Sequence, residues 1–267
     1  MQPLPIDVIL PIASALLGAI LGSFINALSF RFNTGRSIAS GRSKCMSCGH
    51  TLYAKDLVPV FSYIFLGGKC RYCSARISLQ YPLVELAAAA LALLIYLSYP
   101  APLQFAFWLL VWMTLLFVVV YDLRHQVIPW SCSILLALLG LGSLFVSFGS
   151  PDHILDFVSP DMWRLLAGPL LALPLTLLSA VSMGRWMGWG DGALELSLGW
   201  FLGLSMGGSA LMLAFWIGAA VGILLMAAKK GLTMKSELPF APFLVCGALI
   251  AQFFHVDFLS SLPLLFF

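Results

Sequence analysis

Tyr121-Asp122-Leu123-Arg124-His125-Gln126-Val127-Ile128-Pro129 ends a long apolar run with an aspartate, and Gly188-Trp189-Gly190-Asp191 sets a second aspartate at the edge of another. A carboxylate in hydrocarbon is costly, by about 2.5–3.5 kcal/mol at the bilayer centre on insertion scales and less toward the interface. Hydrocarbon is the expected setting. Hydrophobic residues make up 61% of the 267, charged residues 9%, and mean hydropathy is +1.00, whereas average soluble proteins carry roughly 25% charged residues. A soluble chain of one or two domains is thereby excluded, and a polytopic all-α membrane protein is expected. Two acids placed this way, from distant parts of the chain, are candidates for a catalytic dyad.

A spanning helix takes about 20 apolar residues. On that measure, spans read at about Val8 to Phe30, Pro82 to Tyr99, Leu103 to Tyr121, Trp130 to Phe148, Leu165 to Met183 and Pro239 to His255. The stretch 192–228 is long enough for two short spans turning near Met206-Gly207-Gly208, which makes about eight transmembrane helices. The segment before the first run has no basic n-region and no small-residue cleavage site follows it, so a retained helix is expected rather than a signal peptide. No internal repeat or low-complexity tract is apparent. The polar stretch from Arg31 to Gln80 is the one long extramembrane segment, and the chain reads as residues 1–80 (first helix and loop) followed by a membrane domain at 81–267.

Lys and Arg orient such a chain. Arg31, Arg36, Arg42, Lys44, Lys55, Lys69, Arg71 and Arg76 lie in the first loop, and alternating spans put Arg124, Arg185, Lys229, Lys230 and Lys235 on the same side. Only Arg164 falls opposite, with Asp7, Asp152, Asp156, Asp161 and Asp257. The basic side is expected to be cytosolic, which puts Asp122 and Asp191 at cytosolic helix ends and at similar depth.

Within the loop, Cys45-Met46-Ser47-Cys48 and Cys70-Arg71-Tyr72-Cys73 form two pairs. Two such knuckles can close a tetrahedral four-sulfur site. Two disulfides are the alternative, disfavoured in a reducing cytosol. With Cys45, Cys48, Cys70 and Cys73 all ligands, no coordination position stays open, so a structural zinc is expected. His50 is a conceivable substitute ligand, more simply a solvated loop residue. Cys132 and Cys246 read as packing residues.

An aspartyl protease needs two carboxyls close enough that both do not ionise readily, one acting as base on water. Asp122 and Asp191 suit that role, with Gly188, Gly190 and Gly192 keeping the backbone open to a substrate strand. The plainer readings are an interfacial Asp122 paired with Arg124 or capping the next helix, and an Asp191 that caps its helix. Proton or cation transport is a further use of membrane acids, but both of these lie at one interface. Glu85 and Glu195 can each be read as a helix-start acid favoured by the dipole. Ser23 and Asn26 share a face of the first helix, where helix–helix hydrogen bonding is the simpler account.

Taken in order, these motifs resemble the bacterial type IV prepilin peptidases, also called leader peptidase/N-methyltransferases and members of the GxGD-type membrane aspartyl proteases. The resemblance rests on Gly22-Ser23-Phe24-Ile25-Asn26 with Arg31, the paired cysteines with Ala75-Arg76-Ile77-Ser78, and Tyr81-Pro82-Leu83-Val84-Glu85. It rests also on Asp122 with Pro129, Gly190-Asp191, and Glu237-Leu238-Pro239-Phe240-Ala241-Pro242-Phe243. The resemblance implies a multi-pass enzyme of the bacterial inner membrane that removes the basic leader of prepilins and pseudopilins after a glycine at the cytosolic face. It then implies methylation of the new N-terminus with S-adenosylmethionine, a zinc loop associated with that methylation, and partners in the lipid bilayer and in pilus or type II secretion assembly, with no nucleic acid. It assigns no secure methyl-donor residue; Glu85 and the polar residues of the first helix are candidates. Acids such as Asp56 or Glu85 are candidates for meeting the basic leader. Two departures stand out: Ala193 occupies a position where the family usually has lysine, and Trp130 one where it commonly has an acid. A peptidase that has lost methylation, and a zinc-bearing transporter or assembly scaffold, are the competing readings.

Overall fold

The computed structural model describes residues 6–34, 42–147, 156–228 and 238–261. Arg36, Asp152, Lys229, Lys230, Lys235 and Glu237, used above for orientation or motif matching, lie outside the described residues. The chain divides into two compact units, residues 1–120 and 121–267.

The first unit holds α1 (Ile6–Arg31), a loop with the five-residue helix α2 (Phe61–Phe65), α3 (Gln80–Ser98) and most of α4 (Pro102–His125). Small residues decide how α1 meets α3. A Cβ added to Gly22 would lie 2.8 Å from Cα of Glu85, and one on Gly18 would lie 2.6 Å from Cβ of Ala92. The two backbones therefore touch, as small-xxx-small pairs allow where no hydrophobic force drives helices together. Farther along the same contact, Asn26 Nδ2 donates to the carbonyl of Tyr81 (3.1 Å). This packing places α3 in the first unit, although the sequence pattern had grouped it with residues 81–267. At the far end of α3, Tyr99 stacks on Trp108 and Tyr96 meets Phe105 edge-on, which fixes the tight turn into α4.

The loop does contain a short repeat. Cys45 N–H donates to His50 O and Gly49 N–H to Cys45 O; twenty-five positions on, Cys70 N–H donates to Ala75 O and Ser74 N–H to Cys70 O. Each knuckle is closed by an antiparallel bridge, Lys44 with Thr51 and Lys69 with Arg76. Gly49 (φ 71°) and Ser74 (φ 59°) take the same left-handed position. Beyond Lys-Cys-x-x-Cys the two sequences differ, which is why the duplication is invisible without the backbone.

In the second unit α7 (Trp189–Ala228) is the centre, and α5 (Trp130–Ser143), α6 (Met162–Ser182) and α8 (Ala241–Phe254) pack on it. Glycines again permit close crossings: a Cβ on Gly199 would lie 2.8 Å from Cα of Gly168, and one on Gly140 would lie 3.3 Å from Cβ of Trp200. The Trp200 indole, drawn into that contact, donates to Leu165 O (3.0 Å). α7 has 40 residues, about 60 Å at 1.5 Å per residue, twice a hydrocarbon core. It is broken at Gly203 (φ 77°, ψ 176°), a conformation essentially reserved for glycine. The expected turn at Met206-Gly207-Gly208 is thus displaced. Gly207 and Gly208 instead receive Leu171 (2.6 Å) and Leu259 (2.5 Å) against their missing side chains.

With α7 counted as two arms, eight apolar helices are present among the described residues. Five described helices are long and apolar enough to cross a membrane, α7 counted whole, and α5 and α8 are shorter apolar helices. The span expected from Trp130 to Phe148 stops at Ser143, because Val146–Ser147 (β1) pairs antiparallel with Asp156–Phe157 (β2).

Candidate aspartate site and metal loop

α4 ends at the first aspartate. Gln126 N–H donates to Asp122 O (2.8 Å), and Gln126 itself turns left-handed (φ 54°), which stops the helix. The chain then passes Ile128, and Pro129 caps α5 with extended backbone. Ile128 seats against Gly190: a Cβ there would lie 2.8 Å from Cβ of Ile128. This brings the segment after Asp122 directly against the segment before Asp191.

The second aspartate sits in the first turn of α7. Its Oδ2 accepts from Gly188 N–H (3.2 Å), and its own N–H donates to Gly188 O (3.3 Å). α6 braces the same loop from below: Ser179 Oγ donates to Gly188 O (3.1 Å), and Ser182 Oγ accepts from Trp186 N–H (3.2 Å). Gly192 has no room for a side chain because Thr176 of α6 occupies the place.

Asp122 is 5% exposed and Asp191 8% exposed, so both carboxyls are removed from bulk water while carrying few partners. The backbone N–H of Ala241, at the start of α8, reaches Asp122, so a helix N-terminus faces that carboxyl, a favourable arrangement. Asp122 Oδ2 is buried with no hydrogen-bond partner among the described residues. The two carboxyls lie close enough to act on one another electrostatically. One unit thus brings together two buried acids from α4 and α7, with Asp122 Oδ2 buried and unpartnered among the described residues.

Glu195 is a surprise. α7 starts at Trp189, so Glu195 falls in its second turn and is no helix-start acid. It is 1% exposed, with Oε1 unpartnered among the described residues, and its i+4 spacing puts it on the face of Asp191. That spacing was the available signal. Ala193, two residues from Asp191, points elsewhere because i and i+2 do not share a helix face; it is half-buried. Trp130 is exposed.

In the first unit, Sγ of Cys45, Cys48, Cys70 and Cys73 all lie within 4.8 Å of one another, and all four are free thiols. Tetrahedral zinc with Zn–S near 2.3 Å requires S···S edges of about 3.8 Å. Cys45 and Cys73 are 3.8 Å apart. The donor set fits a metal ion. The backbone N–H of Cys48, with that of Ser47 and the neighbouring thiols, draws Cys45 down to about 6. Cys73 is favoured as thiolate by the Ala75 backbone, yet burial and the three other sulfurs push it up to about 12. A bound dication removes that conflict among crowded thiolates. His50 is not in the cluster; its ring lies against Tyr72 at 3.7 Å.

Asp56 ties the second knuckle down. It accepts from Arg71 Nε (2.7 Å), Tyr72 Oη (3.1 Å) and Tyr53 N–H (3.1 Å). Burial alone would raise its carboxyl, but these donors hold it below the usual carboxylate range. Its contribution to the loop is therefore present above the unfolded value of about 3.9 and is lost as pH falls through the depressed folded value. Asp56→Asn is expected to make the loop more open to limited proteolysis at neutral pH and to abolish this part of its acid sensitivity. An Asp56 engaged with Arg71 is also a poor partner for a basic peptide.

Glu85, 7% exposed, accepts from Val60 N–H at Oε2 (2.7 Å). Val60 holds φ 62°, an outlier for a β-branched residue.

Residues 16–99 match the Bacterial Peptidase A24 N-terminal domain family. A prepilin leader peptidase/N-methyltransferase of Bacillus subtilis (strain 168) is 31% identical over 249 residues, covering 92% of this chain and 94% of that protein. The chain belongs to the prepilin leader peptidase/N-methyltransferase family. Further relatives of that name include one of Burkholderia pseudomallei (strain K96243), 33% identical over 273 residues with 91% and 84% covered. Another, of Pseudomonas putida, is 28% identical over 270 residues with 93% and 92% covered. No solved structure matches. The family domain covers α1, the cysteine loop and α3, while Asp122 and Asp191 of this prepilin peptidase relative lie beyond it, in the second unit.

Proposed function

We propose that this chain is a bifunctional enzyme of the bacterial inner membrane. It cleaves the leader of type IV prepilins or pseudopilins after glycine at the cytosolic face, then methylates the new N-terminus with S-adenosylmethionine. The observation that carries the peptidase half is the pair Asp122 and Asp191: buried, electrostatically in touch, and with Asp122 Oδ2 unpartnered among the described residues. In this reading one carboxyl takes a proton from water as the water attacks the scissile carbonyl, and the other donates to the carbonyl oxygen or the departing amine. A substrate whose apolar helix lies in the bilayer presents its scissile bond at the interface. Of the glycines expected to leave room for a substrate strand, Gly190 and Gly192 are taken up by Ile128 and Thr176, so the exposed Gly188, braced by Ser179, is the proposed point of approach. Ala193 lies off the face of Asp191, so its departure from the family lysine leaves the proposed dyad intact.

For the methyl half, Cys45, Cys48, Cys70 and Cys73 are the proposed ligands of a structural zinc, which supplies cross-linking of the loop and no step of proteolysis. Glu85 and Asn26 are the proposed contacts of the methyl donor. Asn26 Oδ1 is buried without a partner among the described residues, an orphaned acceptor that a donor amine would satisfy. The distribution of Lys and Arg supports a cytosolic position for the basic loop and both aspartates. Components of the pilus or type II secretion machinery are the proposed assembly partners.

Mass spectrometry of a pilin processed in cells carrying this chain tests the reading. The expected product lacks the leader and carries one added methyl group at its first residue. A correctly cut pilin with an unmodified amine would support the peptidase-only reading, and an uncut pilin would support the scaffold reading.

A further inference from the structure

The short helix α2 presents Phe61, Ile64 and Phe65 on one side, at i, i+3 and i+4 spacing, and all three are exposed, Phe65 to 84%. Leu57 and Val58, just before it, are exposed as well. Contiguous exposed apolar surface of this kind marks an interaction site. Two observations identify what it meets.

The first is depth. Val60, the residue before α2, donates its N–H to Glu85, and Glu85 lies five positions inside α3, about 7.5 Å along that helix. α3 is a membrane-crossing helix by length and composition. The start of α2 is thus tied to a buried carboxylate inside the first turns of a span. The left-handed Val60 (φ 62°) turns the chain sharply at that tie, a strained conformation kept where surrounding contacts over-determine it. Leu79 and Leu83, at the entry of α3, are exposed as well.

The second is charge. Residues 42–79 carry Arg42, Lys44, Lys55, Lys69, Arg71 and Arg76 against one acid, Asp56, and Asp56 is taken by Arg71. Lys55, Lys69 and Arg76 are exposed, and Lys69 N–H donates to Leu66 O, immediately after α2. Basic residues around an apolar helix face fit an anionic leaflet.

We infer that α2 is an interfacial foot, with Phe61, Ile64 and Phe65 inserted among the acyl chains of an anionic lipid surface and the surrounding Lys and Arg on its headgroups, so that the lipid holds the metal loop against the membrane. The inference rests on the spanning helices and not on either enzymatic activity.

The test replaces Phe65, and in a second variant Ile64, with the photo-crosslinking residue benzoylphenylalanine in the full chain in nanodiscs. Metal content of the four-cysteine site serves as the folding control. After irradiation, lipid adducts are expected to dominate at both positions. Their yield is expected to rise several-fold when phosphatidylglycerol replaces part of the phosphatidylcholine, and high salt is expected to erase that gain. Adducts mainly to peptides of the same chain, to a second copy or to added prepilin would overturn the inference. So would the absence of adducts, or a lipid yield indifferent to anionic headgroups.

Discussion

Asp122→Asn and Asp191→Asn are each expected to lower prepilin cleavage by about 10²–10⁴-fold, the range that general acid–base catalysis contributes. Asparagine keeps the size of the side chain and removes its ability to take or give a proton. The two losses are expected to be comparable, because both carboxyls are buried and the dyad gives each one a proton to move. Asp191 does brace the loop through Gly188 N–H, but the Asn oxygen can accept the same bond, so the loop should survive. Asp122 receives Ala241 N–H, which Asn also accommodates. Helix content by circular dichroism and zinc content should match the unmodified protein, and a pilin supplied already cut should still be methylated. Cleavage left near the original rate in either variant would remove that residue from the chemistry.

Cys45→Ser and Cys70→Ser are expected to abolish stoichiometric zinc, measured on purified protein, and to melt the loop rather than loosen it. The loop has no apolar core to fall back on: among residues 42–79 only Gly68 and Cys70 are buried, and its regular structure amounts to α2, two knuckles and a short turn. Structural zinc contributes about 10–16 kcal/mol in small zinc-finger peptides, which is the whole stability of such a segment. Methylation should be lost. Cleavage should fall much less, because Asp122 and Asp191 are held within the second unit by Ile128, Thr176, Ser179 and Ala241, none of which belongs to the loop. Zinc content unchanged in both variants would reject the four-cysteine site.

Much of this architecture was legible in the residues because the bilayer imposes simple rules on length and composition. The spans, the paired cysteines and the two aspartates each stand out against an apolar background. What escaped depends on three-dimensional neighbours. Several glycines crowd residues 199–208, and only backbone torsion singles out Gly203 as the break, while Gly207 and Gly208 are reserved for Leu171 and Leu259. Gly18 reads as an ordinary span residue, and Gly22 as part of a motif with no stated packing role, until their contact with Ala92 and Glu85 draws α3 into the first unit. The bond from Val60 N–H to Glu85 is a contact across 25 positions that no local pattern reports. Glu195 looked like a helix-start acid, which only the observed beginning of α7 corrects.

The account depends on Asp122 and Asp191 working as one hydrolytic unit, and single-turnover cleavage by the two Asn variants and their double mutant tests this most directly. Groups that act as a unit lose nearly everything when either is removed, and little more when both are. The double variant is therefore predicted to cleave no slower than the worse single variant. Losses that multiply in the double variant, in protein that keeps its zinc and helix content, would mean that the two aspartates act separately and would contradict the dyad.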